Sequence, residues 1–224
     1  MNGPRSSLGD LQRRVLEVLA PIDPPWTLMG GAALAGFHLD HRTTLDLDLF
    51  WWERGELGRV TDAATHLLEE AGLDVGVLQE TPAFLRLRAA DGGETVVIDL
   101  IADPATCVDE AGEAKVGGAR IRVASLHAIL VHKLCALLGR AEIRDLQDVH
   151  ALLDRDCDLG LALENAGSVD TGFSPLTLAW ILREFQVAPL AEAAGIDAED
   201  AAALDRFREE LAEDLLRRAQ SDEK

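Results

Sequence analysis

Residues 26–52 read WTLMGGAALAGFHLDHRTTLDLDLFWW, and the fold follows from how that stretch divides. A short apolar run, Trp26 to Met29, ends at the Gly30-Gly31 pair, and Ala32 to His38 is then rich in helix formers, which predicts strand, glycine turn, helix. From Asp46 onward charged and apolar residues alternate (Asp46, Leu47, Asp48, Leu49) before the run to Trp52 becomes wholly apolar. This predicts a strand exposed at its start and buried at its end, with both aspartates projecting from one face. A glycine pair at a helix N-terminus lets backbone N–H groups approach an anion, and the helix dipole favours negative charge there, so a triphosphate would sit on Gly30 and Gly31. Two carboxylates at i and i+2 repel one another unless a hard cation lies between them, so Asp46 and Asp48 beside that turn point to Mg²⁺. The ion would bridge phosphates and neutralise charge that develops during in-line phosphoryl or nucleotidyl transfer.

Working outward, Asp99 interrupts the apolar run Val96 to Ile101. A charge in such a run needs a partner or a task, and Asp99 is the candidate third carboxylate of a two-metal site; the alternative is that it marks a strand edge beside Asp103-Pro104. Upstream, Leu8, Leu11, Val15, Val18 and Leu19 follow helical spacing until Pro21, Pro24 and Pro25. Downstream, a helix from about Glu56 to Ala71 closes at Gly72, and strand-like runs follow at Asp74–Gln79, Ala83–Arg88 and Thr95–Ile101, with the turn signal Asp91-Gly92-Gly93 between the last two. After a polar connection from Asp109 to Gly118 and a short strand at Ile121–Val123, the pattern turns helical. Ser125 caps a helix to Leu138, Ser174-Pro175 opens another, and Leu204, Phe207, Leu211 and Leu215 form the stripe of a final amphipathic helix. The expected organisation is α/β (α+β), with an α/β domain over residues 1–123 and a helical domain over 124–224.

The chain has 224 residues, 48% hydrophobic and 27% charged, with mean hydropathy +0.05, which excludes both disorder and a membrane protein. No stretch reaches the roughly 18 apolar residues of a membrane span, so the chain is expected in the cytoplasm. Acids outnumber bases 40 to 21, for a net charge of -19. That counts against a broad, non-specific hold on nucleic acid, which needs many Lys and Arg contacts to phosphate. A local basic site remains open if Arg86, Arg88, Arg120, Arg122, Arg140 and Arg144 gather around one cleft; the plainer reading of the alternating pairs is a solvated sheet face. The three cysteines are far apart and outside any disulfide or zinc pattern. His38 and His41 beside Asp40 are more cheaply read as a polar helix end than as metal ligands. Trp51 and Trp52 point to opposite faces, so at most one can stack on a base.

A second constellation is HKLCALLGRAEIRDLQDVHALL, His132 to Leu153. Lys133 lies in an apolar segment and is costly there unless it meets an anion, while Asp145 and Asp148 share a helix face. Lys133 and Arg144 could pair with these carboxylates simply to fasten two helices. Gly30 to Phe50 resembles the first motif of the nucleotidyltransferase family that includes the AbiEii/AbiGii-type toxins, and His132 to Leu153 resembles its second, with Lys, Arg and Arg-Asp-x-x-Asp in that order. The resemblance implies a nucleotidyltransferase-like mixed sheet followed by a C-terminal helical domain, and Mg²⁺-dependent transfer of a nucleotidyl group from an NTP to an acceptor. It implies metal ligation by Asp46 and Asp48, phosphate binding by Gly30 and Gly31, a triphosphate contact from Lys133, and a later acidic role for Asp145 or Asp148 oriented by Arg144. Several family members are toxins with a separately encoded antitoxin, and some extend the acceptor end of tRNA. The competing readings are a small-molecule nucleotidyltransferase acting on an antibiotic-type hydroxyl, and a non-catalytic nucleotide-binding protein. The latter is suggested by Ala32, which stands where the family commonly has Ser or Thr.

Overall fold

The computed structural model describes residues 7–222. The N-terminal part contains helices α1 (Asp10–Leu19), α2 (Gly30–Ala33) and α3 (Val60–Glu70) and strands β1 (Thr27–Met29), β2 (Asp46–Trp52), β3 (Asp74–Thr81), β4 (Phe84–Asp91), β5 (Glu94–Asp103), β6 (Gly112–Val116) and β7 (Ala119–Val123). The strands form one mixed sheet in the order β3-β4-β5-β2-β1-β7-β6. The β2/β5 and β1/β7 pairs are parallel and the others antiparallel.

Period-2 alternation assigns each strand residue to one of two faces. Leu47, Leu49 and Trp51 of β2, Leu85 and Leu87 of β4, and Ile98 and Leu100 of β5 are buried on the face that carries the core. Helices α1 and α3 contact each other and the sheet, and Val15, Leu16 and Leu19 of α1 are fully buried. Each such side chain contributes roughly 1.5–3 kcal/mol by leaving water. Asp46, Asp48, Phe50 and Trp52 occupy the other face of β2, each half-buried. Alternation therefore persists to the end of the strand, where the sequence suggested burial on both sides. Trp51 enters the core and donates its Nε1–H to the Pro24 carbonyl at 2.8 Å, while Trp52 stacks on Phe50 with ring centroids 4.9 Å apart.

Three local features differ from the sequence expectation. The helix after the glycine pair becomes π-helical over Leu34–Leu39 and stops at Asp40 in the left-handed region (φ 59°). His38 Nε2 there donates to the Ala124 carbonyl at 2.8 Å, so the ring is a tether rather than a metal ligand. The connection from Asp109 to Gly118 contains β6. Asp99 lies well inside β5, not at a strand edge.

The remaining elements are helices α4 (Leu126–Gly139), α5 (Ile143–Leu153), α6 (Leu159–Val169), α7 (Pro175–Glu184), α8 (Val187–Ala194) and α9 (Ala198–Asp222). Ser125 Oγ accepts from Ala128 N at 3.0 Å and Ser174 Oγ from Thr177 N at 3.3 Å, the two expected caps. Two compact units divide within α4, one ending at Ile129 and the other beginning at Leu130; the composition shift at residue 124 falls at the start of that helix. In the helical unit α9 contacts α5, α7 and α8 and buries Leu204, Leu211 and Leu215. Phe207 stacks on His150 with centroids 4.4 Å apart. Among the described residues no helix is long and apolar enough to cross a membrane.

Candidate active site

The antiparallel register of β1 and β2 opposes Met29 to Asp48, which places the glycine turn directly beyond the second aspartate. Gly30 has φ +62°, and a Cβ built on it would lie 1.9 Å from Asp48 Oδ2. Only glycine permits both that backbone and that approach. On Gly31 a Cβ would meet Arg42 Nη2 at 2.6 Å and Thr44 Oγ1 at 3.2 Å, so the segment before β2 folds over the turn and brings a guanidinium and a hydroxyl to it. Ala32 is fully buried, and the hydroxyl beside the turn belongs to Thr44. Arg42 lies within the Gly30 to Phe50 motif, but nothing local in the sequence marks it out.

The expected pair of carboxylates thus shares one face beside a backbone cradle. Asp46 and Asp48 are hard oxygen donors of the kind that would hold Mg²⁺ together with substrate phosphates and water. Among the described residues no group of three His, Cys, Asp or Glu side chains is arranged to hold a metal. The expectation of Asp99 as third ligand meets a different arrangement. Parallel pairing of β2 with β5 sets Asp99 beside Asp48, and antiparallel pairing of β5 with β4 sets Arg86 beside Asp99. Arg86 donates from Nε to Asp99 Oδ1 at 2.7 Å and from Nη2 to Oδ2 at 2.6 Å. The bidentate bond to Asp99, followed by the charges of Asp99, Asp46 and Asp48, holds the guanidinium pKa above its ordinary value against the opposing effect of burial.

Gly30→Ala tests the cradle. Forcing a side chain into the left-handed region costs about 1–3 kcal/mol. The added methyl also displaces the Asp48 carboxylate, and misplacement by about 1 Å costs on the order of 10²-fold in rate. Transfer of label from a radiolabelled NTP should therefore fall by about 10²-fold in Gly30→Ala, with only a modest loss of melting temperature. Unchanged transfer would dissociate the turn from the chemistry.

The second constellation is a buried ion cluster within the helical unit. Lys133 Nζ on α4 lies 2.8 Å from Asp145 Oδ1 and 2.7 Å from Asp148 Oδ2, both on α5. Lys133 is 6% exposed and the two aspartates 0%. Arg140 adds a fork to Asp145 at 2.8 and 2.9 Å. These contacts give Lys133 the helix-fastening role, with Arg140 a second cation on Asp145; Arg144 pairs with Glu142 at 2.5 Å. Burial alone would raise the Asp145 carboxyl, yet the hydrogen bonds and charges of Arg140 and Lys133 prevail and hold its pKa below the ordinary value. A depressed folded-state pKa stabilises fully above the unfolded value, near 3.9, and that stabilisation is lost as pH falls through the lower folded value. The stability difference between the wild type and Asp145→Asn should therefore be largest near neutrality and shrink below about pH 4. Denaturant titrations at several pH values check this, and a constant difference would contradict it.

The arginines suggested for a nucleic-acid cleft are largely committed. Arg86 pairs with Asp99, Arg88 with Asp74 at 2.7 Å, Arg120 with Glu113 at 3.4 Å, Arg140 with Asp145 and Arg144 with Glu142. Arg122, opposite Thr27, projects from the same sheet face as Phe50.

The sequence profile of the family described as "Nucleotidyl transferase AbiEii toxin, Type IV TA system" matches residues 14–222. Comparison with curated protein sequences gives no match. Among solved structures, the chain is similar to JHP933 from Helicobacter pylori at 22% identity, covering 94% of this chain and 93% of that one with a TM-score of 0.50. It is similar also to a candidate nucleotidyltransferase from H. pylori at 21% identity, covering 94% and 98% of the two chains with a TM-score of 0.51. At these identities the likeness establishes the mixed-sheet fold.

Proposed function

We propose, from the premise that the chain belongs to the family of AbiEii nucleotidyl transferase toxins, that Asp46 and Asp48 hold Mg²⁺ and that the protein joins a nucleotidyl group from an NTP to an acceptor hydroxyl. The observation that carries this reading is the contact of Asp48 with the Gly30 backbone, which unites the carboxylate pair and the phosphate cradle in one place. The acceptor hydroxyl oxygen attacks the α-phosphorus and gives up its proton to solvent, the bond from the α-phosphorus to the α–β bridging oxygen breaks, and pyrophosphate leaves. The metal, when bound, supplies Lewis-acid stabilisation of the charge on the phosphoryl oxygens. Backbone N–H groups of Gly30 and Gly31, with Arg42 and the Thr44 hydroxyl, orient the triphosphate so that the α-phosphorus faces the acceptor.

In this reading residues 1–123 form the catalytic domain and residues 124–224 a helical domain. Lys133 uses two of its three ammonium hydrogens on Asp145 and Asp148, and the third is available to a phosphate oxygen. Asp145 and Asp148 are then the acids that aim it, and Arg144 steadies the start of α5 through Glu142. The acceptor is the 3′ end of tRNA, and the protein acts in the cytoplasm as the toxin of a pair whose partner is an antitoxin protein.

A second reading, transfer to a small hydroxylated molecule, is favoured by one observation: the arginines that would grip RNA are paired with carboxylates in a chain of net charge -19. Incubation with each radiolabelled NTP and total RNA, followed by gel analysis, separates the two. Label in a tRNA-sized band supports the tRNA acceptor; label that enters a hydroxylated metabolite and never RNA supports the second reading. NTP binding without turnover toward any acceptor would overturn both.

A further inference from the structure

We propose that Arg86 is a built-in cation of the active site: anchored on Asp99, it fills the place beside Asp46 and Asp48 that a second metal ion would take, and it offers its remaining N–H groups to the phosphates of the nucleotide. The inference deepens the nucleotidyl-transfer reading and rests on it. Asp48, Asp99 and Arg86 are successive cross-strand partners on β2, β5 and β4, and paired strands lie about 4.8 Å apart. Both oxygens of Asp99 are taken by the guanidinium fork, and Asp99 is only 6% exposed. Converting that carboxylate into a metal ligand would strip a buried charge of its partner, which is costly.

The charge balance points the same way. Three carboxylates at one site carry three negative charges, and the Arg86 guanidinium offsets one of them without a further ion. A guanidinium has five N–H donors, of which Asp99 occupies two, and the Arg86 side chain is 44% exposed. The Phe84 ring, 5.6 Å from the guanidinium carbon, lies alongside it. A planar, permanently charged fork suits phosphate oxygens better than a lysine would. Asp99 is thereby a positioning residue, acting through Arg86.

Counting Mn²⁺ ions by electron paramagnetic resonance on the whole protein tests this without recourse to activity. Titrations are run at moderate salt, with binding that survives in an Asp46→Asn/Asp48→Asn double variant subtracted as surface background. The wild type should hold one Mn²⁺ and Asp99→Asn should still hold one. Arg86→Gln should admit a second Mn²⁺, and Arg86→Gln/Asp99→Asn should return to one. Arg86→Gln should also bind inorganic triphosphate with Mg²⁺ at least about 10-fold more weakly, the effect of losing a charge-assisted contact. Two ions in the wild type with one lost in Asp99→Asn, or a single ion in Arg86→Gln, would overturn the proposal. A wild type whose Mn²⁺ binding equals the subtracted background would instead overturn the carboxylate-pair reading on which it rests. Should Asp99→Asn fail to fold, the ion count of Arg86→Gln decides alone.

Discussion

Asp46→Ala and Asp48→Ala are each expected to reduce transfer of label from a radiolabelled NTP by at least about 10³-fold, because in the proposed mechanism several kcal/mol of charge stabilisation depend on the metal those carboxylates would hold. The melting temperature should change little. Both side chains are half-buried on the face of β2 opposite the core, so removing them opens no cavity among Leu47, Leu49 and Trp51. This pairing of a large kinetic loss with a small thermal one distinguishes a chemical role from a structural one. A drop in melting temperature proportionate to the drop in transfer would assign the aspartates to the fold, and unimpaired transfer in both variants would remove them from the mechanism.

Lys133→Met should behave in the opposite way. It removes the one ammonium that Asp145 and Asp148 share in the buried cluster, and breaking a buried pair by deleting one partner typically costs about 3–5 kcal/mol. The loss should appear as a large fall in stability, read in the melting of the α-helical signal. Lys133→Arg, which keeps the charge, should recover part of it. If Lys133→Met melts like the wild type and only the KM for NTP rises, the ammonium serves the triphosphate and not the helices.

The parts of this molecule that were legible in the sequence are those governed by local periodicity. The alternation Asp46, Leu47, Asp48, Leu49 fixed which residues share a face, and Ser125 and Ser174 marked helix starts because a hydroxyl satisfies a free N–H of the first turn. What stayed hidden depends on partners distant in the chain. That Asp99 meets Arg86 follows from strand register, which alternation alone does not specify. That Arg140 rather than Arg144 reaches Asp145 depends on which side of α5 faces α4. Strand β6 escaped because only Ala114 and Val116 of its five residues are buried, too little apolar signal between glycines. The π-helical stretch after Ala33 carries no composition of its own, and it ends where His38 is tethered to Ala124 and the chain reverses at Asp40.

Strand β2 divides its seven residues between two separate kinds of selection. In the proposed mechanism Leu47, Leu49 and Trp51 answer to packing and Asp46 and Asp48 to chemistry, so a change in one set leaves the other in place. Insertion or deletion of a single residue at the start of the strand has no such insulation, since it would send the leucines to the nucleotide and the aspartates to the core in one step. Substitutions should therefore be how this enzyme's lineage diversifies along β2, while length changes are confined to the loop that precedes it.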